Sequence, residues 1–91
     1  MKYVVVYESG PDVAERAAEH FEAHRAHWQP FLDDATLLMI GPFRPASDGA
    51  MGVFRTREAA EAFARDDPFV LQGVVTRWTV YEWFEVLVPD E

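Results

Sequence analysis

The sequence predicts an α+β fold, two β-α-β halves laid on one four-stranded antiparallel sheet with both helices on one face. Three observations predict it: β-branched and aromatic runs near both ends of the chain, an alanine-rich helical segment directly behind the first run, and a shorter one ahead of the last. Residues 2–7, K-Y-V-V-V-Y, form a strand stopped by the turn residues Ser9, Gly10 and Pro11. Asp12 is expected to cap a helix over residues 13–29, which Pro30 ends because it lacks an amide donor. T-L-L-M-I at 36–40 reads as a second strand closed by Gly41-Pro42, followed by a loop at 43–49 that carries Pro45 and Gly49. A third strand spans 50–54, Thr56 caps a second helix running to about residue 65, and 74–86 alternates as a long final strand. This order is that of the ferredoxin-like arrangement.

Along residues 75–85 the alternation puts Tyr81 and Trp83 on one side of the last strand and Trp78 and Phe84 on the other. A sheet with large aromatics on both faces needs two covers, and the helix layer supplies one. The second is expected to be a copy of the same chain, giving a homodimer through packed sheets. The 91 residues show no change in composition that would mark a linker, so one domain over 1–91 is expected.

Eight basic against sixteen acidic residues leave a net charge of −8, with the cations scattered, which argues against nucleic acid as a partner. No apolar run approaches the roughly 20 residues of a membrane span, and no basic-apolar leader opens the chain, so a cytoplasmic protein without membrane contact is expected. The absence of cysteine excludes a disulfide, a thiol nucleophile and a thiolate metal site.

The first helix carries His20, His24 and His27. At 100° per residue, with Val13 at zero, His24 falls at about 20°, inside the apolar stripe of Ala17, Phe21, Trp28 and Phe31, while His20 and His27 flank it at about −20° and −40°. An imidazole in such a stripe needs a hydrogen-bond partner or a cavity, since a buried unsatisfied polar group costs about 1–3 kcal/mol. By residue type alone, a core histidine bonded to a backbone carbonyl is the common case. His20 and His24 have the i, i+4 spacing of a metal pair, but zinc takes three or four protein ligands and no HExxH is present, so no metal is expected.

The second feature is R-D-D-P-F-V-L-Q-G at 65–73. Carboxylates at a helix C-terminus oppose the macrodipole by about 0.3–1 kcal/mol each, which calls for a compensating role. Asp67 before Pro68 fits an N-cap followed by proline at N1 of a new helical turn, with Gly73 at its exit. Asp67 is then architecture alone, or it also faces His24, because the chain after the second helix can return across the sheet toward the first. In that case the carboxylate fixes the imidazole tautomer and leaves a usable acid or base near neutrality.

The opening strand, A-H at 23–24, L-L-M-I-G-P at 37–42 and D-P-F-V-L-Q-G-V-V at 67–75 together resemble the YCII-related (YciI-like) family over nearly the whole chain. The resemblance implies a dimeric α+β barrel of ferredoxin-like subunits, with a histidine and an aspartate lining an active-site cleft; matched residue by residue, these are His24 and Asp67. It also implies a serine near the start of the third strand, for which Ser47 is the nearest equivalent. The Arg-Pro that commonly precedes A-H in the family is replaced here by Phe21 and Glu22. One relative of assigned activity is a dehydrochlorinase of chlorinated hydroxyquinols.

Two functions follow as expectations. In the first, His24 oriented by Asp67 is general acid or base in a lyase or hydrolase type of reaction. Its substrate is a small cyclic or aromatic molecule held by Ser47, Phe43 and Phe69, and no cofactor is needed. In the second, the chain is a non-catalytic dimeric module for a small ligand or a protein partner, and His24 completes a polar network. An open cleft beside the imidazole separates the two, because a fully packed His24 has nothing to act on.

Overall fold

The computed structural model describes residues 1–89. Its elements are β1 (Lys2–Ser9), α1 (Val13–Asp33), β2 (Leu37–Pro42), a 3₁₀ turn (Ala46–Asp48), β3 (Ala50–Phe54), α2 (Arg57–Asp66), α3 (Pro68–Leu71) and β4 (Val75–Trp83). The strands form one antiparallel sheet in the order β2-β3-β1-β4. That order is the ferredoxin-like α+β topology the sequence predicts. No helix among the described residues is long and apolar enough to cross a membrane.

Val5, Tyr7 and Phe54 on one sheet face meet Ala60, Phe63 and Ala64 of α2, with Trp28 and Phe31 of α1 packed against them. The rings of Phe31, Phe54 and Phe63 interlock at centroid separations of 5.2 to 6.3 Å, within the range of favourable aromatic pairs. This packing explains why α1 continues through Pro30 to Asp33 instead of ending at residue 29. Proline forfeits one amide donor, while Phe31 on the last turn joins the core and Pro30 still accepts from the Asp34 amide. Asp12 also departs from expectation: it sits in the left-handed region at φ 54° and its side chain caps nothing. Its carbonyl instead accepts from the Arg16 amide at 3.0 Å.

β4 ends at Trp83, short of residue 86, and Phe84 stands 72 % exposed beyond it. Strict alternation fails near its start, where the register with β1 shifts between Glu8 and Ser9. The extra residue of this bulge turns Val75 into the core although Arg77, of the same parity, is exposed. A similar shift in β2 lets both Leu37 and Ile40 face the helices. On the opposite face Tyr81, Val4, Val53 and Met39 form a row across all four strands. Tyr81 and Met39 at its ends are 56 % and 61 % exposed, and Trp83 beside them is 48 % exposed.

Candidate active site

Thr56 caps α2 by accepting from the Ala59 amide, and α2 ends at Asp66. Asp67 is the joint between helices: extended at φ −63° and ψ 126°, it closes α2 and caps α3, with Oδ1 accepting from the Phe69 amide at 3.1 Å. Proline at the first position of α3 costs no hydrogen bond. Gly73, at φ 73°, lets the chain leave α3 in a left-handed turn, and Arg16 of α1 donates to the carbonyls of Gln72 (2.6 Å) and Gly73 (3.3 Å). The acidic turn is thereby pinned to the first helix.

His24 is the buried residue of α1, 7 % exposed, and Asp67 is fully buried. His24 Nδ1 lies 2.8 Å from Asp67 Oδ1, and the O–H of Tyr7 donates to Asp67 Oδ2 at 2.7 Å. The carboxylate thus accepts from three donors on α1, β1 and α3, and an oxygen that already accepts from Phe69 N–H receives the proton on Nδ1 as well. In the neutral ring Nε2 then carries the lone pair. The imidazole stacks on Phe69 with centroids 3.9 Å apart and planes 5° from parallel, and Phe63 meets its edge at 6.1 Å. Such a ring cannot turn freely, so the direction of Nε2 is set.

Beside His24 lies a cavity of about 310 Å³ between α1 and the sheet. Small residues line it, Val13 and Ala17 from α1 and Ala50 and Gly52 from β3, while Phe63 of α2 borders it from the core where it packs with Phe31 and Phe54. Phe21, Trp28, Ile40 and Met51 complete the apolar wall. The volume stands at the lower edge of the ~300–1,000 Å³ of small-molecule sites. Among the described residues its lining holds no lysine, arginine, aspartate or glutamate, and the polar side chains along it include those of Tyr7, Ser9 and His24. Ser9 donates its hydroxyl proton to the Ala46 carbonyl at 2.5 Å.

Of the residues named from sequence, the structure brings His24, Asp67 and Phe69 together. Phe43 and Ser47 lie outside the cavity lining. Phe43 closes the loop through its amide on the Gly49 carbonyl at 2.8 Å, and Ser47 sits on the exposed 3₁₀ turn, along a shallower depression beside residues 10–15. Phe21, placed on the buried stripe by periodicity, is 48 % exposed and borders the cavity. The three histidines serve different partners: His27 Nε2 donates to the Phe63 carbonyl at 2.8 Å, while His20 approaches Glu19 at 3.9 Å. Sequence reasoning passed over Tyr7 and Ser9. The signal for Tyr7 was its place as the last inward residue of a buried strand, where a phenol needs a partner.

Burial, reinforced by the Asp67 charge and by the hydrogen bond to it, pushes the Tyr7 phenol far above its ordinary 10.0. Tyr7 therefore holds its proton more tightly folded than unfolded. The stability it contributes is complete below pH 10 and is lost as pH rises above it, at about 1.4 kcal/mol per pH unit. Urea unfolding between pH 9 and 11 is expected to show this extra slope, and the Tyr7→Phe variant is expected to lack it; equal slopes would exclude the effect.

The profile of the YCII-related domain family matches residues 1–84. The protein YciI of Escherichia coli O6:H1 is 36 % identical over 86 residues, covering 81 % of this chain and 87 % of its own, and YciI of Shigella flexneri matches to the same extent. The solved structure of 5-chloro-2-hydroxyhydroquinone dehydrochlorinase from Burkholderia phenoliruptrix AC1100, in complex with 2,5-dihydroxybenzoquinone, superposes with a TM-score of 0.74 at 18 % identity, covering 92 % of this chain and 94 % of that one. Its likeness is one of fold. The sequence matches carry the assignment: this chain belongs to the YCII-related domain family.

Proposed function

We propose that this chain is a small-molecule enzyme in which His24, oriented by Asp67, acts as general acid or base on an uncharged organic molecule held in the apolar cavity, in a lyase or hydrolase type of reaction. The observation that carries the reading is an imidazole whose Nδ1 is tied to a buried carboxylate while the same ring borders an open cavity. A cavity walled by apolar groups, with no lysine or arginine in its lining among the described residues, favours a neutral ring over a phosphate or carboxylate. The dehydrochlorinase of like fold acts on a chlorinated hydroxyhydroquinone. Loss of HCl from such a ring balances without an oxidant or reductant: one hydroxyl proton is transferred to the chlorine-bearing carbon, a second leaves as chloride departs, and two ring carbonyls form, which is work for one group that serves as acid and base. The test is chloride release from 5-chloro-2-hydroxyhydroquinone and from related halogenated and hydroxylated rings. Turnover that falls in His24→Gln supports the proposal, whereas no turnover above His24→Gln on any of them favours a non-catalytic binding module.

We infer also that the open sheet face is covered by a second copy. Tyr81, Met39 and Trp83 stand exposed around Val4 and Val53, which are buried, and together they make an apolar stripe of the kind found at interfaces between chains. Light scattering on the eluting protein is expected to give twice the chain mass. Tyr81→Glu, which places a charge in the stripe, is expected to give the single-chain mass; a wild-type monomer would remove the inference.

A further inference from the structure

We propose that Tyr7 is the positioning residue of this site: by occupying Asp67 Oδ2 it commits the other carboxylate oxygen to His24 and fixes the imidazole with its proton on Nδ1 and its lone pair on Nε2. The proposal deepens the reading of His24 as the acid-base group and rests on it. A capping carboxylate held only by its local backbone amide retains freedom to swing about the Cβ–Cγ bond. The Phe69 amide supplies such a local bond, at 3.1 Å on Oδ1. Tyr7 supplies the second pin from β1, sixty positions away in sequence, at 2.7 Å on Oδ2. With one oxygen held from the sheet and the other from α3, the plane of the carboxylate is determined, and the remaining acceptor direction of Oδ1 meets His24 Nδ1 at 2.8 Å.

The chemistry of the residue supports the same role. Tyr7 is 5 % exposed, and its ring belongs to the core formed with Val5, Phe54 and Phe63. Phenylalanine would fill that volume equally, and a hydroxyl placed there is unfavourable unless it is bonded. Its hydrogen is spent on Asp67, so Tyr7 has no proton to offer a ligand in the cavity it borders. Burial and the facing carboxylate hold the phenol protonated, so it remains a donor throughout the neutral range. Without it, Oδ2 would lie in a fully buried position with no donor. The carboxylate then relieves the deficit by rotating, and Oδ1 no longer meets Nδ1 in a fixed direction. The alternative tautomer, with the proton on Nε2, becomes populated, and the lone pair that a general base needs is withdrawn from Nε2.

The test reads the tautomer directly and needs no substrate. Nitrogen-15 NMR of the His24 ring, followed to a pH at which the ring is neutral, is expected to show, in the wild type, Nδ1 in the protonated range and Nε2 in the unprotonated range. In Tyr7→Phe, with its fold checked by the amide spectrum, both nitrogens are expected to move to intermediate positions as the tautomers mix. Unchanged ring nitrogens in a folded Tyr7→Phe would overturn the proposal and leave Tyr7 as core packing, without touching the role of His24. A second measurement needs no variant: the hydroxyl proton of Tyr7 in the wild type is expected as a slowly exchanging resonance with a through-space contact to the proton on His24 Nδ1. A wild-type ring protonated on Nε2 would overturn the proposal together with the base reading. Absent turnover with the expected tautomers would remove only the proposed function.

Discussion

Asp67→Ala is expected to cost about 3–5 kcal/mol of folding stability, the penalty for removing one partner from a buried charged network. Three donors converge on this carboxylate: Nδ1–H of His24, the O–H of Tyr7 and the amide of Phe69. Alanine leaves all three without an acceptor in a region where Asp67 itself is fully buried. It also removes the cap of α3, whose four residues have no length from which to recover the loss. Asp67→Asn keeps the shape and one acceptor oxygen but points an amide at another donor, so a loss of about half that size is expected. The neighbouring Asp66→Ala is the control. Asp66 is exposed at the C-terminus of α2, where a carboxylate opposes the macrodipole, so its removal is expected to be neutral or slightly stabilising. Urea midpoints for the three variants test this, and a loss below about 1 kcal/mol in Asp67→Ala would mean that water satisfies the donors.

His24→Gln is expected to lower kcat for chloride release by about 10²–10⁴, the usual contribution of a positioned acid or base. Glutamine has an amide that donates to Asp67 in place of Nδ1–H, so the carboxylate network is kept while the basic nitrogen is lost. The stability cost is expected to be small, about 0.5–1.5 kcal/mol, because the stacked ring contact with Phe69 goes with the imidazole. The two losses are therefore separable: a variant that stays folded at the assay temperature and loses turnover locates the effect in the chemistry. KM is expected to change little, since the apolar wall of Phe21, Trp28, Ile40 and Met51 is untouched. Equal kcat in the two proteins would assign His24 to the architecture of the acidic turn.

The secondary structure was legible because each element has a local cause. The run K-Y-V-V-V-Y, the Thr56 cap and the Asp67-Pro68 start with Gly73 at its exit act within a few residues of themselves, and each appears where its signal lies. Departures occur where a distant group outbids a local preference. Pro30 does not end α1 because Phe31 is held by Phe54 and Phe63, and β4 flips its faces at a bulge that depends on pairing with Glu8 and Ser9.

The site divides in the same way. Periodicity placed His24 in an apolar stripe, and capping logic singled out Asp67, because both are statements about a residue and its own element. That the two lie 2.8 Å apart, 43 positions from each other in the chain, is a property of the folded molecule. So are the recruitment of Tyr7 from the opposite side of the carboxylate and the absence of Phe43 and Ser47 from the cavity wall. Sequence patterns report direction around an axis or across a pleat, and carry no distance between elements. By itself, then, the sequence determined the fold class, the family and two polar residues, one out of place in an apolar stripe and one placed by capping. Tertiary packing decided what they touch, because a buried hydrogen bond forms only where separate elements bring donor and acceptor together.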